Sequence, residues 1–241
     1  MDDIVRCNGS KVCSPFVSSD PQDDGIYYVS AGTGEIFVYS PAAATHSLVV
    51  FSGGEPLGAQ LDANRRLHVA DCAHAAILRV DDRGQPGVMV KAYEEKPFRG
   101  PTSVAFGEHG AIYFTDSGPF GETTLERPRG SVYCIAPSPS GGQVLRPLVH
   151  ECLAHPSCLA VNPSEPRVLF VTELMANRLL RLAQRPANTH HISVFHQFSG
   201  GMGPSCVACD RRGFLYVGHY DFAGSCETER DAVLVIVDVA V

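Results

Sequence analysis

A module of 41 to 55 residues recurs along the chain, and this repetition constrains the fold more than any other feature of the sequence. Each copy begins at a proline, continues through alternating apolar residues and a turn, and reaches a polar or acidic residue fifteen to seventeen positions later. Repeats of this length are typical of propellers and solenoids. Successive module prolines lie 41, 45, 55 and 48 residues apart, at Pro15, Pro56, Pro101, Pro156 and Pro204.

Further apolar runs follow the polar stop of each module. Short β-branched and aromatic runs separated by Gly, Asp, Asn and Pro are typical of strands joined by tight turns. The third run occurs in all five modules, and the fourth occurs in the first four, at 46–51, 88–93, 143–149 and 190–195. No segment has the sustained 3.6-residue period of an amphipathic helix. The sequence therefore predicts an all-β fold, a β-propeller of four-stranded blades, as a single domain over residues 1–241.

The fifth module has no fourth run before the last residue. Ile4–Cys7 precedes the first module proline as the outer strands precede the other prolines, so we expect it to pair with the edge of the last blade. That pairing closes a five-bladed ring and leaves no sheet edge open. The alternative is a six-bladed ring whose last blade is missing or supplied by another chain.

The composition excludes several classes of protein. A hydrophobic share of 44% with 19% charged residues excludes a disordered chain. The formal net charge of −7, without a cluster of Lys and Arg, argues against a nucleic-acid partner. No run approaches the ~18 apolar residues of a membrane span, and the N-terminus has no apolar segment like that of a secretory signal. We therefore expect a cytoplasmic protein with no membrane partner, whose nine cysteines are free thiols.

The module is clearest in the stretches GPTSVAFGEHGAIYFTDSG and HPSCLAVNPSEPRVLFVTELMANRLLRL. The pattern resembles the senescence-marker-protein/gluconolactonase family, and also the related strictosidine-synthase-like and NHL-repeat propellers. The resemblance covers all five modules, roughly residues 13–237. It implies a propeller fold and, for family members with lactonase activity, a divalent cation that is usually calcium. Fold and activity separate readily, so the activity depends on the residues of the site.

In the family, that cation is held by a Glu, two Asn and an Asp near the module prolines. The resemblance assigns these ligand positions to four residues that we call the vestigial positions: Cys13, Thr102, Ser157 and Ser205. None is a carboxylate or an amide, whereas calcium requires several oxygen ligands that together supply negative charge. We therefore expect no metal, no cofactor and no catalytic residue there, with calcium as the alternative.

Polar residues that end the second strands are further candidates for this face of the predicted propeller. Asp71, Asp116 and Glu173 end these strands in their modules. Such acids commonly cap turns through backbone N–H groups, and a rebuilt cation site is the alternative. His219 stands at the same point of the last module, and as a general base it would need an orienting carboxylate.

Two loops between second and third strands are long, at residues 117–130 and 218–231. They contain the aromatic residues Phe120, Tyr220 and Phe222 together with charges of both signs. Long loops on a rigid scaffold commonly carry recognition. We expect another protein to bind through this face.

Two functions from different classes stay open. The favoured one is a non-catalytic intracellular propeller that acts as a scaffold subunit of a larger cytoplasmic or cytoskeletal assembly. The alternative is a hydrolase of lactones or related esters, of the gluconolactonase class, with a rebuilt or metal-independent site. The residues at the vestigial positions favour the first.

Overall fold

A computed structural model describes most of the chain, namely residues 12–18, 20, 22–138, 140–186, 189–220 and 232–238. Within these residues the regular structure is almost entirely β-strand, there is no α-helix, and a short 3-10 turn spans Glu108–Gly110. The described part of the chain therefore contains no helix that is long and apolar enough to cross a membrane.

The strands lie in two compact units, Met1–Thr102 and Ser103–Val241. The first unit contains two four-stranded antiparallel sheets in which each strand pairs with the next along the chain. The first sheet consists of β1 (Val12–Val17), β2 (Ile26–Ser30), β3 (Glu35–Ser40) and β4 (Thr45–Phe51). The second sheet consists of β5 (Pro56–Leu61), β6 (Leu67–Asp71), β7 (Ala76–Val80) and β8 (Pro86–Val90). A short ribbon follows, made of β9 (Ala92–Tyr93) and β10 (Lys96–Pro97).

The second unit contains three sheets, and the first strand of its first sheet begins at Pro101. The third sheet consists of β11 (Pro101–Phe106), β12 (Ile112–Asp116), β13 (Gly130–Pro137) and β14 (Gln143–Leu153). The fourth sheet consists of β15 (Pro156–Val161), β16 (Val168–Glu173), β17 (Arg178–Gln184) and β18 (His190–Gln197). The fifth sheet has three described strands, β19 (Gly203–Cys209), β20 (Phe214–Tyr220) and β21 (Ala232–Asp238).

The strands within a sheet differ in how deeply they are buried. The second strands β6, β12 and β16 are buried along their whole length, including the acids that end them. The outer strands β4 and β18 are mostly exposed. The fold therefore places the carboxylates of Asp71, Asp116 and Glu173 in a dry environment, where each needs hydrogen-bond partners.

The turns between the second and third strands of three sheets share one backbone form. Each has four residues, at 31–34, 72–75 and 174–177, between a Cα-paired strand end and strand start. The fourth turn residue has a left-handed φ, which is 75° at Gly34, 48° at Ala75 and 52° at Asn177. Side chains at matched turn positions can therefore be compared directly.

The predicted closing strand Ile4–Cys7 lies outside the described residues. The choice between five blades closed by that strand and six blades therefore stays a prediction, as does the single domain over residues 1–241.

Candidate functional site

Two of the vestigial positions lie in the second unit, and both hydroxyls are bonded to the backbone. Ser157 Oγ donates to the carbonyl oxygen of Pro204 at 3.1 Å and lies 2.9 Å from Thr172 Oγ1. Ser205 Oγ donates to the carbonyl oxygen of Gly218 at 3.3 Å. These hydroxyls connect β15 to β19 and β19 to β20, which is a role in strand packing.

The other two vestigial positions lie in the first unit. Cys13 is Cα-paired with Val29 in the first sheet, and its side chain is outside the described part. Thr102 is buried in β11. Across the described ranges, no group of three or more His, Cys, Asp or Glu residues is placed to hold a metal ion. Because the four positions offer three hydroxyls and a thiol, two of those hydroxyls already donating to carbonyls, they do not fit a calcium ion.

Glu173 is a buried acid with both oxygens occupied. Oε1 accepts the N–H of Ala154 at 2.7 Å, and Oε2 accepts Nε–H of Arg178 at 2.6 Å. Only 1% of Glu173 is exposed, so these two donors replace water around the carboxylate. The carboxylate thus fixes the chain before β15 and the turn that follows β16.

Asp71, the matched acid of the second sheet, has its hydrogen-bond partners on one oxygen only. It is fully buried, and its Oδ1 accepts the N–H groups of Glu55 and His74, each at 3.0 Å. The same Oδ1 lies 3.0 Å from Nδ1 of His74. Asp71 Oδ2 is buried and has no hydrogen-bond partner among the described residues. A Cβ at position 54 would collide with both the Asp71 carboxylate and the His74 ring, so Gly54 permits their close approach to the chain.

The Asp71–His74 pair has the geometry of an oriented general base. A proton on Nδ1 satisfies Oδ1 of Asp71 and leaves Nε2 of the imidazole as the basic nitrogen. The His74 side chain is 39% exposed, so the ring is open to solvent. The sequence reasoning considered an orienting carboxylate for His219 and missed His74. The signal was present, because His74 follows a strand-ending aspartate by three residues.

His219 is oriented by an amide and not by a carboxylate. Its Nε2 lies 2.8 Å from Oδ1 of Asn177, and its ring centroid lies 5.3 Å from that of Phe198. Asn177 Nδ2 donates to the carbonyl of Gly200 at 2.7 Å, so the amide oxygen faces the histidine and accepts its N–H. The structure thereby brings His219 to the turn that begins after Glu173.

The loop 117–130 is anchored at its base and exposed at its tip. Thr123 is fully buried and donates to the carbonyl of Ser117 at 3.2 Å. Phe120 is 64% exposed and contacts the ring of His155 edge-on, with 5.7 Å between centroids. Burial lowers the pKa of His155 to about 4, so this ring is neutral at pH 7.

The remaining predicted residues lie on separate elements. Asp116 is buried at the end of β12, and Tyr220 ends β20 in a half-buried position. Phe222 and the rest of residues 221–231 lie outside the described residues. A common surface of the two long loops therefore stays a prediction.

Comparisons with known proteins agree with this architecture. The sequence profile described as "SMP-30/Gluconolactonase/LRE-like region" matches residues 17–232. A gluconolactonase of Zymomonas mobilis subsp. mobilis is 31% identical over 118 residues, 46% of this chain and 32% of that protein. The structure of a gluconolactonase of Xanthomonas campestris superposes with a TM-score of 0.73 at 23% identity, covering 88% of this chain and 73% of the other. The calcium-binding protein regucalcin of Agrobacterium tumefaciens gives a TM-score of 0.66 at 16% identity, covering 90% and 72%.

The structural likeness confirms the predicted fold class, an all-β propeller fold built from four-stranded antiparallel sheets. The chain spans about a third of the length of the curated relatives that it matches. At this level of identity, the solved structures support the fold and not a particular reaction.

Proposed function

The chain belongs to the SMP-30/gluconolactonase/LRE-like family, and on that premise we propose that it hydrolyses a lactone or a related carboxylic ester at the Asp71–His74 pair. The observation that carries the proposal is the geometry of this pair. A fully buried carboxylate lies 3.0 Å from Nδ1 of an imidazole that is 39% exposed. Since the vestigial positions do not fit a cation, the proposal assigns the activation of water to a side chain.

The reaction needs only water and the ester. Nε2 of His74 accepts a proton from water while the water oxygen bonds to the carbonyl carbon, and the Asp71 carboxylate stabilises the imidazolium that forms. The ring C–O bond then breaks, and the departing alkoxide oxygen takes the proton from Nε2. One water is consumed, one hydroxy acid is formed, and His74 returns to its neutral form.

A comparison within the chain supports a role for His74 beyond holding its turn. In the fourth sheet, the matched third turn position is Ala176, and the turn keeps the same backbone form. In the first sheet, the matched residue is Thr33, whose hydroxyl donates to Ser30 Oγ at 2.8 Å. A histidine is therefore not required by the turn. The carboxylate behind it also keeps one buried oxygen without a partner.

The test is a hydrolysis assay of the purified protein on a panel of γ- and δ-lactones and aryl esters, with and without a chelator. His74→Ala should lower kcat on the order of 10²–10⁴-fold and leave KM nearly unchanged, because the residue acts on water and not in binding. Thr33→Ala, at the matched turn position of the same unit, should keep full activity. Activity that survives His74→Ala, or that disappears with the chelator, would contradict the proposal.

A second candidate is the docking of another protein, as in a scaffold subunit of a cytoplasmic or cytoskeletal assembly. The observation that favours it is the exposure of Phe120 and Leu125, which are 64% and 66% accessible on a loop fixed by the buried Thr123. Exposed aromatic and aliphatic side chains at a fixed tip are typical of interface anchors.

The docking candidate is tested by recovering a partner with the tagged protein from its own cells. Phe120→Ala with Leu125→Ala should lower recovery of that partner at an unchanged melting temperature. Val144→Ala, which truncates another exposed apolar residue of the same unit, 50% accessible, serves as the control. If all variants recover the partner as well as wild type does, the loop is not the docking surface.

A further inference from the structure

A cavity of about 580 Å³ opens in the second unit, and none of the candidate site residues described above lines it. We call it the arginine cavity because Arg146, Arg167 and Arg185 line it. Its walls also include Tyr113, from β12. Its volume is in the range of ~300–1,000 Å³ that small-molecule sites occupy.

The cavity has an excess of positive charge that the protein does not balance. Glu108 is the one carboxylate among the residues that line it, against three guanidinium groups. None of the ion pairs within the described ranges includes Arg146, Arg167 or Arg185. Arg181, on the neighbouring strand β17, is by contrast paired with a carboxylate 3.5 Å away. The chain as a whole has a net charge of −7, so three arginines without a carboxylate partner around one opening make this region unusually positive.

Arg146 gives the cavity a specific unsatisfied donor. Its Nε is buried and has no hydrogen-bond partner in the described part of the structure. The Arg146 guanidinium does donate a hydrogen bond to the thiol of Cys134, its cross-strand neighbour. Burial nevertheless raises the pKa of that thiol, so Cys134 stays neutral and supplies no negative charge to the guanidinium. A buried N–H without an acceptor is costly, and it marks a place where a ligand or an ordered water is expected.

Tyr113 adds an aromatic wall and a second kind of donor. Burial raises the pKa of its phenol to about 12, so the hydroxyl keeps its proton at pH 7. Ala111 and Ala136 also line the cavity and add small apolar surface. Guanidinium and phenol groups both donate hydrogen bonds, so the chemistry that the cavity best complements is an acceptor with negative charge.

We propose that the arginine cavity binds a small molecule through a carboxylate or phosphoryl group held by Arg146, with Arg167 and Arg185 at its mouth. A planar guanidinium matches the two oxygens of a carboxylate or phosphoryl group in a bidentate fork, which a lysine does not. The ring of Tyr113 and the two alanines then contact the rest of the molecule. This site is separate from the hydrolysis proposed at Asp71–His74 and does not depend on it.

Isothermal titration of the whole chain tests the proposal, with inorganic phosphate in one arm and succinate in the other. Wild type should bind at least one of them saturably at one site. Arg146→Gln should weaken that binding roughly tenfold to a hundredfold, as expected for the loss of a charge-assisted hydrogen bond. The double change Arg167→Gln with Arg185→Gln alters only exposed side chains and gives the same test if Arg146→Gln fails to fold. Arg181→Gln changes a paired arginine of β17 in the same unit; it is the matched control and should bind like wild type.

The two arms also distinguish the ligand. Tighter binding of phosphate identifies a phosphoryl group, tighter binding of succinate identifies a carboxylate, and either result supports the site if the cavity variants weaken it. The proposal is overturned if neither anion binds saturably. It is also overturned if Arg181→Gln weakens binding as much as the cavity variants do, because binding would then follow net charge alone.

Discussion

The turn after β6 and the turn after β16 have the same backbone form and both begin at a buried acid, yet the two acids are balanced differently. In the fourth sheet, Glu173 uses one oxygen for a backbone N–H and the other for Arg178. In the second sheet, Asp71 places all of its recorded partners on Oδ1, including His74, and none on Oδ2.

The difference separates what the fold requires from what it leaves open. In both turns the acid accepts a backbone N–H from the segment before the first strand, so that contact belongs to the architecture. The side-chain partner varies: Ala76 stands where the fourth sheet has Arg178, and His74 stands where it has Ala176. The fourth sheet is therefore the structural reference against which His74 is unusual.

The largest expected loss of stability comes from removing the side-chain partner of Glu173, so that the fourth sheet resembles the second at this position. Arg178→Ala copies Ala76 and leaves Glu173 Oε2 buried without a partner. Breaking a buried pair costs roughly 3–5 kcal/mol, and we expect the lower end, about 3 kcal/mol, because Arg178 is 34% exposed. Urea denaturation measures this cost. Arg181→Ala, in the same strand but in an exposed pair, should cost under about 1 kcal/mol, and equal costs for the two variants would show that burial of Glu173 does not matter.

The residues that precede β5 and β15 extend the comparison, because one of them makes stability depend on pH. His155 and Glu55 each precede a module proline, and each carbonyl accepts the N–H of the residue after the acid. Burial lowers the pKa of His155 from 6.5 to about 4, so below pH 6.5 the unfolded chain binds a proton that the native chain does not. This contribution to stability is complete above pH 6.5 and is lost progressively as the pH falls towards 4.

By that linkage, the His155 contribution at about pH 5 is smaller by about 2 kcal/mol than at neutral pH. His155→Asn tolerates the left-handed φ of 61° and removes the titrating group, so the difference in unfolding free energy between the two proteins should shrink by this amount from pH 7 to pH 5. Parallel stability curves for the two proteins would mean that His155 is hydrated in the native state.

The sequence predicted the strands well because each is a short apolar run bounded by turn residues. The run at 143–149 marks the start of β14, although the strand continues to Leu153, and the run at 88–93 is divided between β8 and the ribbon strand β9. The acids at the strand ends were also identified from the modules.

The spacing of Asp71 and His74 is visible in the sequence, but whether the two side chains meet is not. The contact between Asp71 and His74 depends on a left-handed turn residue that is alanine, and nothing in its type marks that conformation. The arginine cavity is assembled from residues that are far apart in the sequence, from Glu108 to Pro186, so no local pattern indicates it. Predicting such sites requires knowledge of how neighbouring strands are aligned.

A smaller effect on stability is expected for His74→Ala. The variant gives the second sheet the residue of the fourth at that position, and Asp71 Oδ1 keeps two backbone N–H donors. We expect a loss of about 1 kcal/mol, the value of one hydrogen bond, beside the large loss of activity. Urea denaturation of the variant measures it. A loss above about 3 kcal/mol would make His74 a structural residue, and the fall in activity could then be attributed to unfolding.

The smallest expected effect is that of calcium, which should leave the melting temperature unchanged at millimolar concentration. The vestigial positions do not supply the charge that a hard cation needs, and Glu173 is already neutralised by Arg178. A ligand present at 100 times its dissociation constant would stabilise the native state by about 2.7 kcal/mol, which a thermal scan detects. Among the described residues, Asp71 Oδ2 is the buried acidic oxygen without a hydrogen-bond partner, so the scan is repeated with Asp71→Asn. Stabilisation by calcium that a chelator reverses and that Asp71→Asn abolishes would make Asp71 a cation ligand, and His74 would then lose the carboxylate that its role as a base requires.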